Sequence, residues 1–334
     1  MKILITSYSF LPQIGGIETI SSLLANELVK KSCEVKILTE TEENGNHTYP
    51  YEVIRKPKLI EIIKAIIWSD IVFQNNLSLR YIWVNLFIRK PAVVTFQIWI
   101  DGKNKLLNLL KILLAKTFDE KLVISKSLQK QLPFRTYLIN NPFDNELFKT
   151  GNKERDPKTL LFVGRLESCK GCQTLIKALQ ILNKKNDKYK LFIIGDGKFR
   201  NKLEELAKEL KVSKYVFFKG ACTQLEIAEF MQRINIFVVP SLWEEPFGIV
   251  ALEGMAAGCK VLGTNIGGLK EAIGECGILF EKNDSSHLSK IILDLNKENN
   301  YYISSEKINS HIKNFFKEKV CNDYLRVFKK VLKT

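Results

Sequence analysis

The 334-residue sequence has no D-x-D, no complete G-x-G-x-x-G and no apolar run long enough to span a bilayer. The first absence removes a common acidic arrangement for holding a diphosphate through a divalent ion. The second removes a dinucleotide fingerprint, because IIGDGKFR supplies Gly195 and Gly197 but no third glycine. The third argues against an integral membrane protein, which needs roughly 20 consecutive apolar residues. The windows IWSDIVFQNN and YIWVNLFIRK are broken by charge and amide groups. Histidine is scarce: His47, His287 and His311 are the only three, and none lies in a motif. The seven cysteines are odd in number and follow no framework spacing, so they read as reduced thiols of a cytoplasmic protein. Cys169 and Cys172 form one C-x-x-C without a second pair or a flanking histidine, which argues against zinc. The opening MKILITSYSF carries an apolar run that ends at Ser7, too short for a secretory signal, and reads as a first strand.

What is present is ordinary globular material, 46 % hydrophobic and 26 % charged, in a chain long enough for two domains. The 51 basic residues against 36 acidic leave a net charge of +15, which favours an anionic partner without choosing one. The excess is spread along the chain, with 20 basic to 14 acidic residues over 1–150 and 31 to 22 beyond. With no helix-turn-helix, zinc-finger or RNP pattern, nucleic acid is not the expected partner.

Apolar, β-rich runs alternate with helical patterns. KILITS (2–7), EVKILTE (34–40), DIVFQNN (70–76), AVVTFQI (92–98), KLVIS (121–125) and TYLINN (136–141) predict parallel strands covered on both faces. Gly16 to Lys31 supplies the first helix. The polar stretch 140–157, with two prolines and a glycine, changes character. We therefore expect a domain over 1–145, a linker over 146–157 and a second domain over 158–314. In the second domain strands are expected at 159–166, 190–197, 215–220, 234–241 and 259–264, with helices at 173–183, 199–210 and 248–257. Short surface helices are expected over 281–314 and a final amphipathic helix over about 315–334. Such a chain is α/β, with two Rossmann-like doubly wound parallel sheets and a ligand cleft at the carboxyl ends of their strands.

Three segments carry chemistry. Gly15 and Gly16 open the first helix, where backbone N–H groups can approach an anion, although a tight turn alone would also use them. In FVGRLESCKG (162–171), Arg165 and Lys170 stand five residues apart in a strand-to-helix loop and can flank a diphosphate, Arg as a fork and Lys as a point charge. A solvated basic loop is the plainer alternative. In PSLWEEPFGIVALEGMAAG (240–258), Glu245 precedes a helix that Gly248 opens, and Glu253 lies one turn inside on the face of Ile249 and Val250. A helix start binds phosphate, and two carboxylates beside it can accept hydrogen bonds from sugar hydroxyls. Helix capping by Glu244 and Glu245 would be the simpler use.

The ordered set of GGIE, VGRL with KG, IIGDG, the E-x7-E block ending in EGMAAG, and TNIGGLKEAI (264–273) resembles the retaining GT-B glycosyltransferases of glycosyltransferase family 4. The resemblance implies a nucleotide-sugar donor, such as a UDP- or GDP-sugar, held mainly by the C-terminal domain. It implies an acceptor held mainly by the N-terminal domain, and a last helix crossing back to that domain. By position, Arg165 and Lys170 would hold the diphosphate, Glu253 the ribose and Glu245 the donor sugar hydroxyls. Gly16, Phe247, Gly248, Ile249 and Val250 would complete the donor cradle. The implied reaction moves a hexose-type unit to a growing surface glycan or lipid-linked saccharide, with no metal and no other cofactor. Another GT-B nucleotide-sugar reaction such as epimerisation is the alternative. Where many members carry a histidine at the end of the fourth parallel strand of the first domain, this chain reads VVTFQIW and has Gln97, which can orient donor or acceptor by hydrogen bonding.

One segment bears on location. In DGKNKLLNLLKILLAKTF (101–118), Leu106, Leu107, Leu109, Leu110, Leu113, Leu114 and Phe118 share half of a helical wheel, with Lys105, Lys111 and Lys116 on the other half and Ile112 the exception. Either the leucines cover the first sheet, or the helix helps a peripheral protein dock on an anionic membrane.

Overall fold

The computed structural model describes residues 1–333 except 14, 44, 46, 153, 185–187, 296 and 298–302. The chain divides into two compact units, 1–143 with 315–334, and 144–314.

Among the described residues, unit one runs β1 (Lys2–Thr6), α1 (Gly16–Lys30), β2 (Glu34–Thr39), β3 (Glu52–Arg55), α2 (Leu59–Trp68), β4 (Ile71–Asn75), α3 (Leu79–Ile88), β5 (Ala92–Phe96), α4 (Lys105–Ala115), β6 (Glu120–Val123), α5 (Lys126–Gln129) and β7 (Tyr137–Leu138). The strands form one parallel sheet in the order β3-β2-β1-β4-β5-β6-β7. The order reverses at β1 and β4, so the carboxyl ends of those strands and of β5 bring Ser7, Asn75 and Gln97 to one edge. β1, β4 and β5 are buried along almost their whole length, as continuous apolar runs in a doubly covered sheet must be. α1 forms because Ile20, Leu24 and Leu28 recur every four residues and are buried, with Glu18 in its first turn and Lys30 in its last.

Unit two runs β8 (Asp156–Val163), α6 (Cys172–Lys184), β9 (Lys190–Ile194), α7 (Arg200–Glu209), β10 (Val216–Gly220), α8 (Gln224–Met231), β11 (Ile234–Val239), α9 (Ile249–Ala256), β12 (Lys260–Thr264), α10 (Leu269–Ile273), β13 (Ile278–Phe280), α11 (Ser285–Leu295) and α12 (Ser305–Ile312). Its parallel order is β10-β9-β8-β11-β12-β13. Leu160, Leu175, Leu179, Ile193 and Ile236 are fully buried in its core. Truncating any one of them to alanine should cost about 2–5 kcal/mol. α13 (Lys317–Val331) returns to unit one and packs on α1, with Tyr324 hydrogen-bonded to Thr95 and its ring against Phe73.

The structure differs from the sequence expectations in several places. β3, β13, α2, α3, α8 and α10 were not anticipated. β8 begins at Asp156, inside the stretch read as linker, and the strand ends stop before the motif residues: Gly164, Gly195 and Ser241 lie in loops. Gly164 and Gly195 still carry the ladder one step further, their N–H groups donating to the Ile194 and Gly220 carbonyls, so it is the loop residues beyond them that are free of it. Within 281–314, α11 and α12 form, while 296 and 298–302 lie outside the described residues.

Candidate functional site

The candidate donor residues of unit two gather at the carboxyl ends of β8 and β11. After β8 the chain turns through Gly164 and Arg165 into a single 3-10 turn, Ser168–Lys170, which places Lys170. Gly171 follows with φ 73°, where a Cβ would run into the Pro240 carbonyl, so only glycine lets the two loops touch. The contact is sealed by the Leu242 N–H donating to the Cys169 carbonyl at 2.8 Å.

Lys170 Nζ reaches Glu245 Oε1 at 2.6 Å, and the Ser241 hydroxyl donates to the same oxygen at 2.6 Å. The ammonium also stands 5.2 Å from the centroid of the Trp243 ring, within cation–π range. The pair is mostly shielded from water, with side chains 19 % and 13 % exposed, so its charges are screened less than a surface pair's. Glu245 is fixed from behind as well, since the Gly268 N–H of the TNIGGLKEAI segment donates to its carbonyl at 2.7 Å. Arg165 behaves differently: its side chain is 69 % exposed and pairs with Glu167 at 3.0 Å.

Gly248 precedes α9 with φ 122°, a conformation closed to other residues, and a Cβ there would also meet Leu269 at 2.6 Å. The first N–H groups of α9, from Ile249 and Val250 onward, are thereby left at the end of the loop that carries Glu245 and Phe247. Phe247 itself is buried and anchors that loop. Glu253, one turn into α9, is buried, and desolvation, with repulsion from Asp144 second, pushes its carboxyl up to about 8. A buried carboxyl without its own cation is costly to keep in an apolar helix, and perturbed acids of this kind concentrate at functional sites.

In unit one, Gly16 is the first residue of α1, and a Cβ there would meet nothing within 4 Å, so the protein's own packing does not demand a glycine. Gln97 is 4 % exposed and fully engaged. Its amide nitrogen donates to Asn75 Oδ1 at 2.8 Å, and its oxygen accepts from Asn141 Nδ2 at 2.7 Å. Asn75 in turn donates to the Ser21 hydroxyl at 2.7 Å, and Ser21 to that of Ser7 at 2.9 Å.

Lys170 and Glu245 are thus in contact, while Arg165 lies apart in an ion pair of its own. Sequence reasoning missed Ser241 and Trp243, although both lie in the PSLWEEPFG motif, and it missed the amides that clamp Gln97. Two of the three histidines are occupied elsewhere: His311 Nε2 meets the Ala272 carbonyl at 2.8 Å, and His47 packs on Tyr49. Among the described residues no group of three His, Cys, Asp or Glu could hold a metal ion.

Comparison with known proteins identifies the family. The family model "Glycosyl transferases group 1" matches residues 143–315, all of unit two and its borders. An uncharacterised glycosyltransferase of Methanocaldococcus jannaschii is 30 % identical over 88 % of both chains. The alpha-monoglucosyldiacylglycerol synthase of Streptococcus pneumoniae is 25 % identical over 78 % of this chain and 70 % of its own. Among solved structures, HepE of Anabaena in complex with UDP superposes with a TM-score of 0.83 at 20 % identity, covering 99 % of this chain and all of that one, and it shares the two-domain GT-B fold. With the model covering half of the chain and a relative similar along most of it, this chain belongs to the glycosyl transferases group 1 family.

Proposed function

We propose that this glycosyltransferase is a retaining, metal-independent enzyme that moves a hexose-type sugar from a nucleoside-diphosphate sugar to a growing surface glycan or lipid-linked saccharide. The observation that carries this reading is the Lys170–Glu245 pair, held at the carboxyl ends of β8 and β11 beside the start of α9. A solved relative binds UDP-glucose, which supports the same donor class here.

In this reading Lys170, Arg165 and the N–H groups of Ile249 and Val250 stabilise the charge that builds on the diphosphate as the bond from the sugar's C1 to phosphate oxygen breaks. The acceptor oxygen bonds to C1 from the same face, and its proton passes to the departing phosphate oxygen, so no separate protein base is needed. Glu253 accepts from the ribose hydroxyls, Glu245 from those of the donor sugar, and Gly16 lets backbone approach the phosphates. Gln97 acts as an orienting amide in place of a histidine.

Thermal-shift screening against UDP-, GDP- and ADP-sugars tests the donor class, because a bound donor stabilises by RT ln(1 + [L]/Kd). Proton NMR of the product then tests stereochemistry. No shift with any nucleotide sugar, or an inverted anomeric centre, would sink the reading.

A further inference from the structure

The leucine half of α4 does not cover the sheet. Leu106, Leu107, Leu109, Leu110 and Leu113 are all exposed, Leu106 by 75 %, and the buried residue of the helix is Ala115. Ile112, the exception on the wheel, is one of the half-buried residues on the inward side, and Phe118 is buried just past the helix end. α3 repeats the pattern: Tyr81, Ile82 and Val84 are buried, while Trp83, Leu86 and Phe87 are exposed, Phe87 by 81 %. α3 and the segment just past α4 border the same surface, one open depression of about 470 Å³ lined by Ile82, Leu86, Arg89, Lys90, Thr117 and Phe118. The β4-α3-β5 and β5-α4-β6 crossovers, right-handed as such units are, put both helices on the same side of the sheet. Exposed apolar side chains gathered on two helices of one sheet face mark an interaction face.

Charge selects what covers it. From Leu79 to Lys116 seven basic residues stand against one acid, Asp101. Arg80 pairs with Glu40, but Arg89, Lys90, Lys103, Lys105, Lys111 and Lys116 take part in no ion pair among the described residues. At 100° per residue, Lys105 and Lys116 flank the leucines on one edge and Lys111 on the other. A second copy of the chain would set like charge against like. An anionic bilayer offers acyl chains to the leucines and phosphates to the lysines that rim them. We propose that the α3–α4 face of unit one docks on an anionic lipid bilayer, with the leucines, Trp83 and Phe87 entering the headgroup region and the lysines at the phosphate level. The contact lies on the surface, since no helix among the described residues is long and apolar enough to cross a membrane. It deepens the proposed function, on which it rests only for the use of docking: a lipid-linked acceptor would be met at that surface.

Sedimentation of the full chain with phosphatidylcholine vesicles, with and without phosphatidylglycerol, tests the proposal. Wild type should pellet with the anionic vesicles at low salt and be released as salt rises. Lys105→Gln, Lys111→Gln and Lys116→Gln should each lower the partition coefficient about fivefold. A combined Leu106→Ser, Leu109→Ser and Leu110→Ser variant should lose binding while nearly keeping its urea midpoint, because these side chains are exposed and lie outside the core. Wild type remaining in the supernatant at low salt would overturn the proposal. So would equal binding to neutral vesicles, or a dimer that the leucine changes dissociate without any vesicle binding. Neither donor nor acceptor is present in this assay, so its failure and a failure of the glycosyl-transfer reading are told apart.

Discussion

Lys170 and Glu245 are separated by 75 residues and meet at 2.6 Å, with the Ser241 hydroxyl on the same carboxylate oxygen. Both residues are proposed to bind the donor, and they also bind each other. The pair holds two flexible side chains in one arrangement, which lowers the ordering cost of binding. It also makes the two charges interdependent: removing either leaves the other shielded from water without its partner.

The first prediction follows from this pairing. Lys170→Ala and Glu253→Ala should chiefly raise the KM for donor, and Glu245→Ala should chiefly lower kcat, each costing roughly 30- to 1000-fold in kcat/KM, on the order of 2–4 kcal/mol. The Lys170→Ala, Glu245→Ala double variant should lose less than the sum of the two single losses, because the pair acts as a unit. Strict additivity, or wild-type rates in all three single variants, would contradict the site.

The second prediction concerns Gln97, whose amide is committed at both ends to Asn75 and Asn141. Gln97→Ala strands two buried amides, so it should cost about 1–3 kcal/mol of stability in unit one. Turnover should fall about 10- to 100-fold through lost orientation, with the anomeric outcome unchanged. Steady-state kinetics, urea unfolding and product NMR together check this. An inverted product would mean that a dedicated base exists elsewhere.

Much of the fold was legible because its strands are buried on both faces and so read as continuous apolar runs. The exceptions are instructive. β3 (EVIR) and β13 (ILF) are short edge strands of four and three residues, too brief for a periodic signal. The apolar window YIWVNLFIRK, which holds most of α3, reads only as too broken for a membrane span. In the site, Glu245 and Lys170 were visible singly, through motif and charge, but their contact is tertiary and nothing in the local sequence announces it. The same holds for Gln97, whose partners lie 22 and 44 residues away. For α4 the period revealed a leucine half but not which half faces the sheet. That depends on how Ala115 and Phe118 pack, and the structure turns the leucines outward.

The third prediction is a pH dependence of stability from Glu253. Its folded value of about 8 lies above the ordinary carboxyl value of 4.5. The folded state therefore holds a proton that the unfolded chain gives up. Its contribution to stability is fully present below about pH 4.5 and is lost as pH rises through about 8, at roughly 1.4 kcal/mol per pH unit between the two. Against a Glu253→Gln variant, whose amide does not titrate, wild type should lose stability steadily from pH 5.5 to 7.5 in urea unfolding. Parallel curves for the two proteins would show that Glu253 ionises in the folded state as it does in the unfolded one.

The last prediction is that chelation leaves activity largely intact. A diphosphate leaving group needs positive charge, and in many enzymes a divalent ion held by carboxylates provides it. Here the proposed supply is Lys170, Arg165 and the first N–H groups of α9, a helix start that Gly248 opens and that counts for about half a unit charge. The two carboxyls proposed for the donor site are otherwise engaged: Glu245 is tied to Lys170 and Ser241, and Glu253 is buried with its carboxyl pushed up to about 8. A proton-bearing or ion-paired carboxyl is a poor metal ligand, since binding would first have to remove the proton or the lysine. Dialysis against EDTA followed by assay without added metal should therefore keep most of the wild-type rate. Lys170→Ala should not be rescued by Mg²⁺ or Mn²⁺, because Lys170 and not an ion carries the charge. A strict, reversible requirement for either ion in the wild-type enzyme would show that the phosphate site is built differently.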